Sequence, residues 1–135
     1  LKEALDIAHA QEGRLITVFG CGGDRDKTKR PKMGRIASIW SDLVLVTQDN
    51  PRSESETQII SDIIEGFSLG FDCYEVISDR KEAIEKALVF ASKNDVVVVT
   101  GKGHETTQIL STGTIHFDDR ETVRGLLRKR AVYES

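Results

Sequence analysis

Asp95-Val96-Val97-Val98-Val99-Thr100 is the stretch whose reading decides the fold. Four consecutive valines are apolar on both faces of an extended chain and β-branched throughout. That is the pattern of a strand covered on both sides, as the central strands of parallel sheets are. The run ends at a glycine turn, Gly101-Lys102-Gly103-His104-Glu105. Outward from it, residues 15–19 form a second apolar run closing at Gly20, residues 43–47 a third, and residues 74–77 a fourth. Helical spacing fills the intervals. Leu1, Ala4, Leu5 and Ala8 place a short helix over residues 1–11, with Gly13 as its stop. Met33, Ile36, Ala37 and Trp40 mark the inner face of a second helix. Ile59, Ile60, Ile63, Ile64 and Phe67 give a third its buried stripe, opened by a capping box at Ser53/Glu56 or Ser55/Gln58 and ended by Gly70. Asp79 with Glu82 caps a fourth, whose inner face is Ala83, Ile84, Ala87, Leu88 and Ala91. Beyond the valines, residues 106–110 read as a short helix and residues 114–117 as a late strand. Asp118 with Glu121 caps a last helix carrying Val123, Leu126 and Leu127.

Strands alternate with helices throughout, which predicts an α/β fold: a doubly wound, mostly parallel, Rossmann-like sheet flanked by helices, with right-handed crossovers and residues 95–100 at its centre. The 135 residues suit one domain. At 39% hydrophobic and 30% charged the chain can build a core and is not of disordered composition. A net charge of −3 argues against a nucleic-acid partner. No apolar run reaches the length of a membrane span, and no signal peptide is visible. Cys21 and Cys73 form no Cys-x-x-Cys, which fits a reduced, cytosolic setting. The chain opens at Leu1 rather than Met, already in helical register. The expectation is a piece of a longer protein, truncated at its N-terminal edge, with the first strand of the sheet missing.

Three loops leave the carboxyl ends of strands, where open α/β sheets bind ligands: residues 20–31, 48–52 and 101–105. They gather Arg25, Lys27, Lys29, Arg30, Arg52, Lys102 and His104 on one edge of an acidic chain, a rim that favours an anionic ligand. Thr47-Gln48-Asp49-Asn50-Pro51-Arg52 suits a zwitterion. Arg52 offers a planar fork for a carboxylate, and Asp49 and Asn50 accept from an ammonium. Glu105 leaves a strand on a glycine turn, where a carboxylate can meet a substrate amine. Two nucleotide motifs fail. Asp26 precedes Lys27-Thr28 where a phosphate loop needs glycine, and Arg25 stands where the dinucleotide fingerprint needs its third glycine. Cys21 reads as a small buried thiol, His104 as an orienting or structural residue, and no cluster has metal-ligand spacing. A free-standing nucleotide-binding α/β module and an interaction domain without a small-molecule site are the alternatives. The failed fingerprint weakens the first, and the gathering of Arg25, Arg52 and Glu105 on one edge weakens the second.

Val18-Phe19-Gly20-Cys21-Gly22-Gly23-Asp24-Arg25-Asp26-Lys27, Lys29-Arg30-Pro31, Asp49-Asn50-Pro51-Arg52, Gly101-Lys102-Gly103-His104-Glu105 and the late Phe117-Asp118-Asp119-Arg120 together resemble the C-terminal domain of the Mur ligases over nearly the whole chain. The Asp-Asn-Pro-Arg form is similar to that of the diaminopimelate-adding members. The resemblance implies an ATP-dependent amide-bond ligase of cytoplasmic peptidoglycan synthesis. ATP phosphorylates the D-glutamate γ-carboxylate of UDP-N-acetylmuramoyl-dipeptide, and the amine of meso-diaminopimelate displaces the phosphate. It implies that Arg25, Asp49, Asn50, Arg52, Gly101 and Glu105 surround diaminopimelate. The arginines would take carboxylates, while Asn50, Glu105 and the Gly101 backbone would take the distal amino-acid centre. It also implies that ATP and Mg2+ are held mainly by a central domain outside this chain. Residues 1–135 would then contain half a substrate site, no catalytic residue and no metal site.

Overall fold

The computed structural model describes residues 1–22, 27–49, 53–100, 107–110, 113–116 and 124–125. The elements run α1 (Lys2–Ala10), β1 (Leu15–Phe19), α2 (Lys29–Trp40), β2 (Leu43–Val46), α3 (Glu56–Glu65), β3 (Tyr74–Val76), α4 (Arg80–Phe90), β4 (Val96–Thr100), β5 (Thr107–Leu110) and β6 (Gly113–His116). Strands β1 to β4 form one parallel sheet in the order β3-β2-β1-β4. The chain winds from β1 outward through β2 to β3, then crosses back to lay β4 on the far side of β1. The expected doubly wound α/β architecture is therefore present.

Each face of the sheet has its own core. Phe19, Val44 and Val46 pack with Ala37 of α2 and with Ile59, Ile60 and Ile63 of α3 on one side. Ile16, Val18 and Leu45 pack with Ala83, Ile84 and Ala87 of α4 on the other. The alternation along β1 and β2 sends successive side chains to opposite helical layers. Helix α3 starts where the capping signal places it, Ser55 accepting from the Gln58 amide at 3.4 Å. Helix α4 does likewise, Asp79 accepting from the Glu82 amide at 2.9 Å.

Five expectations need correction. The valine strand β4 is not central among the described residues: β1 is, with all five residues buried, whereas β4 closes the row and is half-buried. A β-branched run reports preference for a pleated surface and not its place in the order. The inner face of α2 is Arg30, Gly34, Ala37 and Ser38, while Met33 and Ile36 are 36% and 50% exposed. Small residues face α3 because the helices approach closely: a Cβ at Gly34 would lie 2.1 Å from the Ile63 carbonyl oxygen. Helix α3 stops at Glu65 with Gly66 as its cap, so Phe67 lies beyond it, and Gly70 (φ +82°) serves a later turn. The left-handed residue after α1 is Glu12 (φ 61°), not Gly13. Residues 107–110 are a strand, paired antiparallel with β6, in keeping with the β preference of Thr107 and Ile109. Of the last expected helix, residues 124 and 125 are helical, and Asp118, Glu121, Val123, Leu126 and Leu127 lie outside the described residues.

Candidate functional site

The parallel register fixes where the three motif loops begin. Phe19 pairs with Val46 on one side and with Thr100 on the other. The carboxyl ends of β2, β1 and β4 therefore stand side by side on one edge. Between β1 and β4 the winding reverses, and that reversal is where doubly wound sheets open a ligand crevice. Of the six expected site residues, Asp49 is described. It is buried and follows β2 by three positions. Arg25, Asn50, Arg52, Gly101 and Glu105 lie outside the described residues, as do Lys102 and His104.

The loops after β1 and β2 lean on each other at Gly20. A Cβ there would lie 2.3 Å from the Thr47 carbonyl oxygen and 2.9 Å from the Asp49 nitrogen, so only hydrogen fits between the two backbones. The Thr47 amide donates to the Phe19 carbonyl at 2.9 Å, and the Thr47 hydroxyl to the Ser78 carbonyl at 3.3 Å. Asp49 is thus presented from a backbone held on two sides.

Two buried arginines underpin this edge, and the charge pattern misplaces one of them. Arg30 is not a rim cation. It is 1% exposed, bonded to Glu54 at 2.7 Å, to Asp62 at 3.0 Å and to the Gly22 carbonyl at 3.2 Å. Burial opposes its charge, but the bonds to Glu54 and Asp62 outweigh that and raise its pKa. The Gln58 side-chain NH2, followed by Arg30, holds the Asp62 carboxyl below its usual range. The guanidinium so ties the loop after β1 to the segment that leads into α3. Lys27 and Lys29 remain exposed. The second arginine, Arg80, stands outside the three motif loops. It is also 1% exposed and donates to the Gln48 carbonyl at 2.9 Å and to the Thr100 carbonyl at 3.1 Å. A readable signal existed: a cation at the first position of a helix opposes the helix dipole and needs another reason to be there.

Cys21 behaves as a buried thiol. Its Sγ lies 3.7 Å from the Met33 sulfur, and burial pushes its pKa up to about 11, with Asp49 adding to the rise and Arg30 opposing it. A thiol so protonated is a poor nucleophile. Among the described residues no group of three His, Cys, Asp or Glu side chains could hold a metal ion, and no helix is long and apolar enough to cross a membrane.

Comparison with known proteins adds the remaining evidence. Residues 1–103 match the family model described as Mur ligase, glutamate ligase domain. A protein of Clostridium acetobutylicum named UDP-N-acetylmuramoyl-L-alanyl-D-glutamate–2,6-diaminopimelate ligase 1 is 55% identical over 118 residues, 87% of this chain and 24% of the relative. The ligase of that name, without the numeral, from Gloeobacter violaceus is 58% identical over 118 residues, again 87% of this chain and 24% of the relative. A solved structure of such a ligase superposes with a TM-score of 0.83 at 36% identity, covering 95% of this chain and 27% of that one. The chain thus spans about a quarter of the length of the curated relatives it matches.

Proposed function

The chain belongs to the Mur ligase family by its C-terminal domain, and from that premise we propose that it is the amino-acid-binding domain of an ATP-dependent ligase that adds meso-diaminopimelate to UDP-N-acetylmuramoyl-L-alanyl-D-glutamate in the cytoplasm. The observation that carries the reading is the shared edge: the ends of β1, β2 and β4 stand together, and each opens one of the three family motifs. The failed nucleotide fingerprint leaves nothing to favour a free-standing nucleotide module.

In the proposed reaction the γ-carboxylate of the D-glutamate takes the terminal phosphoryl group of ATP, giving an acyl phosphate and ADP. The amine of diaminopimelate attacks the acyl carbon, the amide forms, and phosphate leaves. The residues of this chain bind and orient the amine donor. Arg25 and Arg52 take its carboxylates; Asp49, Asn50, Glu105 and the Gly101 backbone take its ammonium groups. Holding an amine at attack distance turns an encounter between two molecules into a step within one complex, a gain of several powers of ten. ATP and Mg2+ do not fit the residues of this chain, since Asp26 stands before Lys27-Thr28 where a phosphate cradle needs glycine. They are assigned to the central domain of the ligase.

The test is steady-state kinetics of the full-length ligase with diaminopimelate and with lysine, which lacks the distal carboxylate. Arg52→Ala leaves that carboxylate without its donor, at a cost of about 2–5 kcal/mol. Its expected signature is a sharply raised KM for diaminopimelate. Arg52→Lys rescues little, because an ammonium cannot offer two parallel donors. Turnover and KM for diaminopimelate within about twofold of wild type in Arg52→Ala refute the assignment.

A further inference from the structure

Arg80 opens α4 and is buried, although a cation there faces the positive end of the helix dipole and loses its hydration. An apolar side chain of similar length would fill the space without either penalty. The guanidinium bonds two main-chain oxygens, Nη1 donating to Gln48 at 2.9 Å and Nη2 to Thr100 at 3.1 Å. Gln48 follows β2 and Thr100 ends β4, and these strands are not neighbours because β1 runs between them. Strands two places apart in a sheet lie roughly 9–10 Å from each other. One side chain therefore spans the carboxyl end of the central strand and clasps the two strands that flank it. A planar fork does this with donors on separate nitrogens held in fixed directions, whereas a lysine would have to serve both oxygens from one rotatable nitrogen.

The two clasped carbonyls have a common feature: each is the last main-chain group before a motif loop. Gln48 leads into Asp49-Asn50-Pro51-Arg52, and Thr100 into Gly101-Lys102-Gly103-His104-Glu105. We propose that Arg80 is a positioning residue for the amino-acid site, fixing the distance between the origins of these two loops so that the groups on them converge on one substrate. It touches no substrate and acts through the backbone. The inference rests on the proposed function, since it is that reading which puts both loops on one ligand.

The experiment compares the full-length wild-type ligase with Arg80→Lys and with Asp79→Ala. The second variant removes the cap of the same helix and leaves the clasp in place. Hydrogen exchange is followed in peptides covering residues 47–52 and 99–105, and KM is measured for diaminopimelate and for ATP. In Arg80→Lys both peptides exchange at least about tenfold faster, and KM for diaminopimelate rises at least about tenfold while KM for ATP stays within about twofold. In Asp79→Ala neither peptide changes. Acceleration in one peptide alone, the same effect in Asp79→Ala, or an equal rise in KM for ATP overturns the proposal. Should Arg80→Lys fail to fold, Arg80→Gln, which keeps a planar amide with donors on one nitrogen, is held to the same criteria. A wild-type ligase inert toward diaminopimelate overturns the functional reading instead, and the exchange of the two peptides then still decides whether the clasp exists.

Discussion

Replacing Gly20 by alanine tests whether the loops after β1 and β2 are packed as closely as the structure shows. The new Cβ would stand 2.3 Å from the Thr47 carbonyl oxygen, 2.9 Å from the Asp49 nitrogen and 3.0 Å from the Gln48 carbonyl carbon. Such contacts essentially never fall below 3.0 Å. The Thr47 carbonyl must therefore retreat by about 0.7 Å, and it is backbone, with no rotamer to yield. Its own residue is pinned by the 2.9 Å bond from the Thr47 amide to Phe19, which a shift of that size stretches beyond useful length. Overpacking costs about 1–3 kcal/mol and the lost bond about 0.5–1.5 kcal/mol, so Gly20→Ala should destabilise the chain by about 2–4 kcal/mol. Urea unfolding followed by circular dichroism reads this as a midpoint lowered by roughly 1–2 M, given the usual slopes for small domains. In the full ligase the same shift displaces Asp49, and KM for diaminopimelate should rise by about tenfold or more, since misplacement of about 1 Å at a reactive site costs up to a hundredfold. Stability within about 0.5 kcal/mol of wild type would mean that the two loops can part freely, and the account of how Asp49 is held would fall with it.

Two further outcomes are expected. Asp95 accepts from the Arg14 amide, the Arg14 guanidinium and the Ser92 amide, and the Arg14 side chain, then Ser92, draw its pKa down to about 2. Because the folded value lies below the unfolded one, its stabilisation is complete above pH 5 and is lost as pH falls from about 4 towards 2. At about 1.36 kcal/mol per pKa unit the depression sets a ceiling near 2.5 kcal/mol, and the half-exposed Arg14 screens it to about 1–2 kcal/mol. Urea melts at pH 5 and pH 2 should show wild type losing that much more stability than Asp95→Asn, and parallel losses would contradict the assignment. Separately, calorimetry of this chain with ATP and magnesium should show no binding at low micromolar concentration, because lysines on a loop do not replace a preorganised cradle. A magnesium-dependent low-micromolar affinity would reverse the assignment of ATP to another domain.

The parts of the fold legible in the sequence are those that local chemistry decides. Strands β1, β2, β3 and β4 fall within a residue of the apolar runs, and Ser55 and Asp79 cap the helices that follow them. These features depend on neighbours in the chain. The errors concern neighbours in space. Four valines announce a strand but not whether another strand lies on its far side, and among the described residues β4 closes the row. Of the apolar residues of α2 at helical spacing, Ala37 lies on its inner face but Met33 and Ile36 do not, because the close approach of α3 at Gly34 turns the small residues inward. The edge proposed to carry the site was legible through topology, since parallel strands must send their carboxyl ends the same way. Five of the six residues expected on it stand outside the described residues, so their convergence rests on the anchors: Phe19, Val46, Asp49 and Thr100.

Composition also cannot tell a cation that greets a ligand from one that holds the scaffold, and the two buried arginines show why the difference matters. Arg30 spends its charge on Glu54 and Asp62. Truncating it would leave Glu54 and Asp62 without the guanidinium that both bond, which makes such a pair costly to break even where it adds little net stability. It contributes nothing to the attraction of an anionic substrate. Arg80 spends its donors on the main chain. It bonds the carbonyls at the ends of two strands, in a region where the dipoles of those carbonyls can repay its desolvation. A binding site for a zwitterion needs cations that are exposed and movable enough to meet carboxylates, on loops whose origins do not move. The physical division of labour follows: Arg30 and Arg80 fix the loops from below, and the cations left for the substrate are those farther along the same loops, with Arg25 and Arg52 the proposed pair.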